Sequence, residues 1–452
     1  MERLGDSTNV DSSGYLALDP ATVIDPYPLY EALRRQGAPA QESTYGVWLV
    51  TRYADILDVV RRPLEFSSSA APTGPPIDHA CLRPDVAAQL RSAAQPLHTL
   101  VTADPPDHSR YRTLVNRFVN ARRAQAWEPR IRQIADELVD GFENSGRCEL
   151  IEDFAGPLPL RVVAELLGMP DADHADLRRW ADEAADGIGN PGVVIERLQQ
   201  PAQAPTGIGF AEYFSARVTA CRRLPADDGD LVSQLVHART DDGRLLDDPE
   251  LLSILGHFLV AGHETSTKMI AAGMRLLLEH PDQMALVRSD ASLCAGLVEE
   301  ALRFDAPVQG MFRVAVVDAV VAGVHLPAGS MLMLLYGSGN RDEIQFPDAR
   351  RFDVRRANAR TNLAFGQGIH YCSGAPFARA EGRIGFEVLL RRLADIRIAA
   401  DHLPFEFPPS FILRGMKALH IEFSARSAPP VASATPPTTS SASTAPAQRE
   451  PT

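Results

Sequence analysis

Apolar residues fall nearly all round the stretch from Leu251 to His280, and Pro281 stops it. A helix that is apolar on every side belongs in the middle of a large core, so this segment is predicted to be the central helix of the chain. Helical spacing recurs between Trp127 and Gly146, where Ile131, Ile134, Ala135, Leu138, Val139 and Phe142 share a face, and again from Leu158 to Leu167. Pro26 to Arg34 begins a short helix, and Val47 to Val50 reads as a strand ahead of a helix over Tyr53–Val60. Residues 173–230 are mostly helical, interrupted by Gly187, Gly189, Pro191, Pro201 and Pro205. Strands are expected over Val314–Val317, Val321–Leu326 and Leu419–Phe423. Residues 66–100 read as a loop marked by Ser67-Ser68-Ser69 and Pro75-Pro76, with a short helix from Asp85 to Ala93. The pattern is that of a mainly α protein with smaller β-sheets. Its ends depart from it. Residues 1–24 read as a flexible N-terminal arm. Residues 425–452 are mostly Pro, Ala, Ser and Thr, a composition that buries too little surface to fold. A single domain over residues 25–424 remains.

Composition narrows the function classes. A net charge of −13 over 452 residues argues against a general nucleic-acid binder. Cys81, Cys148, Cys221, Cys294 and Cys372 have no metal-type spacing, and an odd, scattered set suggests a reducing compartment. Met1-Glu2-Arg3-Leu4-Gly5-Asp6-Ser7 begins without an apolar run, and no stretch has 18 uncharged apolar residues. The expectation is a cytoplasmic protein without a membrane anchor.

One of the cysteines lies in Phe365-Gly366-Gln367-Gly368-Ile369-His370-Tyr371-Cys372-Ser373-Gly374, and a helical pattern follows at once from Pro376. Glycines here permit positive φ or a close approach to a flat ligand. Backbone N–H groups around the sulfur and the start of a helix would stabilise a thiolate, which can be the one protein ligand of a haem iron. Taken alone, the cysteine could equally be a buried, inert one beside a turn. Phe-Gly-x-Gly-x-His-x-Cys-x-Gly followed by Ala378-Arg379 and Glu381 resembles the haem-binding loop of the cytochromes P450. Phe377 stands where that family usually has a leucine, and both are large and apolar. The resemblance implies haem b with Cys372 as iron ligand, Phe365, His370 and Gly374 beside it, and the triangular, prism-like P450 fold.

Other segments fit the same family in the same order. His108 and Arg112 lie four apart and share a helical face, suited to a carboxylate or simply to solvent; in the family the matching pair binds haem propionates, as do the residues matching Arg313 and His370. Ala261-Gly262-His263-Glu264-Thr265 lies inside the central helix. Gly262 fits either a close helix contact or a flat ligand, and Glu264 either a core salt bridge or a functional acid. The segment resembles the P450 run in which the threonine steadies dioxygen and ordered water while the acid serves a proton route from solvent. His263 fills the variable position and is not expected to be a metal ligand. Glu300 and Arg303 look like the Glu-x-x-Arg lock of the family, with Arg356, or Arg355 in its stead, as third member. Leu259, Val260, Ala261, Val308 and Met311, with Phe411 and Ile412 from a segment that resembles the terminal hairpin, are expected to line a substrate pocket; Gln309, Arg83 and Arg91 are possible polar contacts.

The resemblance implies a monooxygenase that inserts one atom of O2 into a largely hydrophobic small molecule, such as a terpenoid, steroid, aromatic or macrocyclic metabolite. A peroxide-driven peroxygenase and a non-catalytic haem-binding or sensor protein are the alternatives. No Gly-x-Gly-x-x-Gly fingerprint after a strand marks a nicotinamide or flavin domain. Electrons are therefore expected from a ferredoxin and an NAD(P)H-dependent reductase. Arg110, Arg122, Arg123, Arg379 and Arg383 are candidates for the docking patch, and the protein is expected to be a monomer.

Overall fold

The computed structural model describes residues 13–75, 82–84, 97–199, 209–226, 229–402 and 404–425. The short helix expected at Asp85–Ala93, Arg91 and the tail beyond Ala425 lie outside the described residues.

The central helix runs from Asp248 to Glu279. It starts where a capping box forms: the Asp247 carboxylate accepts from the Glu250 N–H at 2.8 Å, and Glu250 accepts from the Asp247 N–H at 2.8 Å. Glu250 also takes Arg244 and the Tyr111 hydroxyl, which ties this end to the helix Asp107–Phe118. Pro281 opens the next helix, as its sequence position demands. The helices Ala121–Asp140, Pro157–Leu166, Cys294–Phe304 and Ala375–Arg392 pack with the central helix into the main apolar cluster. Among the described residues no helix is long and apolar enough to cross a membrane.

The sheets sit to the side. One has strands in the order Ala40–Gln41, Trp48–Val50, Met331–Leu334, Met311–Ala315 and Phe66–Ser67. Its Met311–Ala315 strand pairs antiparallel with Met331–Leu334, placing Arg313 opposite Leu332. A second sheet joins Arg147–Glu149, His420–Ala425 and Leu393–Ile398. The expected strand Val321–Leu326 is instead a hairpin, Ala319–Val321 with Val324–Leu326. Ala322 (φ 48°) and Gly323 (φ 81°) both sit at positive φ, as a tight two-residue hairpin turn requires.

The described part of the N-terminal arm, residues 13–24, packs on the domain. Ser13–Leu16 and Pro20–Ile24 are helices, and Tyr15 and Leu16 are buried. The Tyr15 hydroxyl donates to the Phe411 carbonyl at 2.7 Å, which fixes the arm against the far end of the chain.

Glu300 and Arg303 form a fully buried bidentate pair, with both contacts at 2.7 Å. The remaining Arg303 donors reach the carbonyls of Asn340, Ala349 and Arg351 at 3.0, 3.0 and 3.1 Å. Arg356 completes the group with Nε 3.1 Å from Glu300. Arg355 does not enter it; its backbone N–H goes to Asp353. The adjacent Glu299 points elsewhere, to Arg379 on the helix Ala375–Arg392.

Candidate functional site

The loop before the helix Ala375–Arg392 turns on two glycines at positive φ, Gly366 (67°) and Gly368 (72°). A Cβ on Gly368 would stand 2.6 Å from the Val60 carbonyl oxygen, so the loop also needs the missing side chain to seat against the helix Tyr53–Val60. The Cys372 N–H donates to the Phe365 carbonyl at 2.9 Å and closes the turn. Burial pushes the Cys372 thiol up, while the N–H groups of Gly374 and Ala375, with Arg112 and Arg379, pull it back down. Arg379 lies over the Phe365 ring at 4.5 Å and donates to the Tyr371 hydroxyl at 2.8 Å. Phe377 meets the Trp127 ring edge-on at 6.4 Å, so the departure from leucine is taken up by an aromatic contact.

His108 and Arg112 from one helix, Arg313 from a strand and His370 from the cysteine loop face one space. The His108 and His370 rings lie 4.2 Å apart. Arg112 donates to the Tyr371 carbonyl, and Arg313 to the Phe312 carbonyl at 2.7 Å. Burial first, then the nearby Arg313, His108 and Arg112, push His370 down to about 3. Its Nε2 is buried and has no hydrogen-bond partner among the described residues. Among the described residues none of these four groups forms an ion pair with a carboxylate. Asp104 acts on His108 only from beyond ion-pair distance, and basic groups gathered without a paired carboxylate, around an orphaned ring nitrogen, fit a ligand that brings its own carboxylates. With a thiol in the same loop, the donor set fits the haem b that the sequence implies.

On the central helix, Ala261 is exposed although its helix crosses the core. Thr265 donates its hydroxyl proton to the Ala261 carbonyl at 2.9 Å. Gly262 owes its place to a helix contact: a Cβ there would stand 2.6 Å from Val163 Cγ2. Glu264 is in contact with Lys268 one turn on. Asp182, His263 and Glu264 each bring a donor atom within 4.8 Å of the others. Lys268 already neutralises Glu264, and Arg178 lies 3.6 Å from Asp182, so these charges are matched without a metal. Burial pushes His263 down to about 4 and keeps it neutral.

Of the expected pocket residues, Val260, Val308 and Met311 are half-buried and Ala261 is exposed. Leu259 belongs to the main apolar cluster, and Phe411 and Ile412 to a cluster with Tyr15, Tyr30 and Phe312. Phe411 meets Phe312 edge-on at 5.7 Å. Phe411 and Ile412 pack beside Tyr15 and Leu16 of the first N-terminal helix, and Leu259 lies apart from them on the central helix. Gln309 is satisfied internally: it donates to the Ala306 carbonyl at 2.7 Å and accepts from Tyr30 at 3.0 Å. Of the docking candidates, Arg379 is bound to Glu299, and Arg383 to Glu128 and Glu387. Arg122 is exposed, Arg110 pairs with Asp107, and Arg123 donates to Gln234.

Glu381 went unnoticed as a separate group in the sequence. It lies on the stripe Phe377, Glu381, Ile384, Val388, which at helical spacing marks a buried face. It is only 2% exposed, and among the described residues its Oε2 has no hydrogen-bond partner while Ser266, next to Thr265, is a hydrogen-bonding neighbour of the carboxyl. Burial pushes its carboxyl from 4.5 to about 7. The folded chain thus keeps a proton that the unfolded chain releases, so this contribution to stability is complete below pH 4.5 and is lost as pH rises through 7. The swing is about 3 kcal/mol. Glu381→Gln is expected to flatten the fall in unfolding midpoint between pH 5 and pH 8, and to be more stable than the parent at pH 8. Parallel pH curves for the two proteins would contradict this.

Comparison with known proteins bears on the whole arrangement. A family profile described as Cytochrome P450 matches residues 289–397. The chain is 37% identical over 405 residues to Cytochrome P450 monooxygenase PikC of Streptomyces venezuelae, covering 88% of this chain and 91% of the relative. It is 38% identical over 320 residues to 6-deoxyerythronolide B hydroxylase of Saccharopolyspora erythraea, covering 71% and 76% of the two chains. The solved structure of Cytochrome P450 CYP109Q5 from Chondromyces apiculatus superposes with a TM-score of 0.77 at 35% identity, over 91% of this chain and 98% of that one.

Proposed function

Because this chain belongs to the cytochrome P450 family and is a haem b-dependent monooxygenase, we propose that it hydroxylates a hydrophobic substrate of macrolide size, with Cys372 as the iron ligand. The observation that carries the reading is the convergence of His108, Arg112, Arg313 and His370, none of them ion-paired to a carboxylate among the described residues, beside the Cys372 loop. Bound haem b supplies the reductive activation of O2. His108, Arg112, Arg313 and His370 would hold its two propionates by charge-assisted hydrogen bonds. Phe365 and Gly374 flank the sulfur. The N–H groups of Gly374 and Ala375 favour the thiolate over the thiol.

Thr265 has its proton committed to Ala261, so its oxygen faces the exposed side of the helix as an acceptor. There it can orient a water, while Glu264, on the flank toward Asp182, takes up protons from solvent. Val260, Ala261, Val308 and Met311 form the apolar wall that excludes bulk water and binds the substrate by area. A large ring system is favoured because a relative carries the name 6-deoxyerythronolide B hydroxylase. Electrons would come from a ferredoxin and its NAD(P)H-dependent reductase, docking near Arg110, Arg122 and Arg123. Residues 25–424 would act as one catalytic domain.

The test is Thr265→Ala in a ferredoxin-driven assay. Substrate-induced spin-state shift should be retained, while the share of electrons ending in product falls on the order of tenfold and peroxide rises. Unchanged coupling would remove Thr265 from the chemistry. Macrolide-sized compounds should give the spin-state shift, and binding restricted to small, highly charged compounds would overturn the substrate class.

A further inference from the structure

We propose that Lys268 is a positioning residue for Glu264, and that Gly415 sets where the lysine stands. The proposal rests on reading Glu264 as the proton-carrying acid. Lys268 is four residues beyond Glu264 and three beyond Thr265, so on the helix surface it adjoins both. Its ammonium contacts the Glu264 carboxylate, and the two side chains are only 14% and 18% exposed. Among the described residues no other cation is paired with Glu264.

The lysine stem is not free to choose its rotamer. It lies on the backbone of Gly415, where a Cβ would come within 2.4 Å of Lys268 Cγ and 2.8 Å of Cδ. Gly415 is not in the left-handed region. Its missing side chain therefore serves space rather than backbone conformation. The segment carrying it is itself braced. Ile412 accepts from the Gln309 N–H at 2.7 Å, and Leu413 bridges Val308. The Arg414 N–H donates to Pro307 at 2.8 Å, and the Arg414 guanidinium pairs with buried Asp305 at 2.7 Å. The backbone that holds Lys268 is thus hydrogen-bonded to the pocket wall at Pro307–Gln309. A long, flexible cation becomes a fixed one, aimed at the acid.

The remaining charged or titratable groups around Glu264 are matched separately. Arg178 pairs with Glu152 at 2.5 Å and reaches Asp182 at 3.6 Å, and His263 is neutral. Removing Lys268 therefore leaves Glu264 without its own counter-charge and free to leave its position.

The experiment compares Lys268→Met, Lys268→Arg and Gly415→Ala in the haem-loaded protein with the ferredoxin system, beside Glu264→Gln and the double variant Glu264→Gln/Lys268→Met. Lys268→Met should lower kcat for product about fivefold to tenfold, less than the roughly 10²–10⁴-fold that a proton-transferring group itself supplies, because the acid remains and only its position is lost. KM and the substrate-induced spin-state shift should stay within about twofold, since a uniform-binding loss is not expected. Lys268→Arg, which keeps the charge, should recover most of the rate. Gly415→Ala should reproduce the kcat loss by displacing the stem, and it carries the test if Lys268→Met fails to fold. In the Glu264→Gln background Lys268→Met should add nothing further. A Glu264→Gln enzyme with normal kcat would refute the acid's role itself. A slow Glu264→Gln enzyme beside normal Lys268→Met and Gly415→Ala enzymes would overturn the positioning role alone. So would a full additional loss in the double variant.

Discussion

Cys372→Ser is expected to abolish the thiolate-type absorption of the reduced, carbon monoxide-treated protein, together with all O2-dependent product. A serine oxygen cannot push electron density onto the metal as a thiolate sulfur does, and at neutral pH it stays protonated. The other described cysteines cannot take over. Cys148, Cys221 and Cys294 are buried in the main apolar cluster. Burial pushes the thiol of Cys148 up, and that of Cys294 up to about 12, so both stay protonated. Cys372 differs by its loop, where N–H groups and two arginines offset part of the cost of burying the anion. Cys294→Ser is the control and should leave the spectrum intact. A Cys372→Ser protein that holds haem and still shows the thiolate-type spectrum would sink the assignment.

Arg303→Ala should prevent accumulation of soluble, haem-loaded protein. The side chain is 0% exposed, and every donor on it is used, by Glu300 or by the carbonyls of Asn340, Ala349 and Arg351. Truncation takes the arginine donor from the Asn340 and Ala349 carbonyls and leaves Glu300 buried with only Arg356 and the Asp353 N–H among the described residues. Breaking a buried pair from one side costs about 3–5 kcal/mol. That is a large part of the roughly 5–15 kcal/mol by which a folded chain is stable. Arg303→Lys should rescue little, since an ammonium cannot make the two parallel contacts and reach three carbonyls as well. Soluble yield and the ratio of haem absorbance to protein are the measurements. Near-parental values for Arg303→Ala would show that the group is dispensable.

The two residues also show what can be read in a sequence. The Cys372 loop is a contiguous run whose glycines, cysteine and following helix state their own backbone requirements. Glu300 and Arg303 are one helical turn apart, so their pairing follows from helix geometry alone. His108 and Arg112 are legible for the same reason. Each of these depends on a local period.

What only the tertiary structure decided depends on partners far away in the chain. Gly262 could have faced a flat ligand or a helix, and Val163 settles it for the helix. Phe411 carries nothing local to say that Tyr15, hundreds of residues earlier, would bond its carbonyl and bury its ring. Arg379 and Arg383 look like free surface charge until Glu299, Glu128 and Glu387 arrive beside them. Lys268 is visible as a helical neighbour of Glu264, but its fixed position needs the bare backbone of Gly415. Sequence by itself determined the mainly helical plan, the cysteine loop and the spacing of the acid–alcohol and Glu-x-x-Arg motifs, because hydrogen-bond periods and positive φ are properties of neighbouring residues. Which side chains end as core, as neutralised charge or as wall was left to the fold, because burial and charge pairing are set by whichever distant segment packs there.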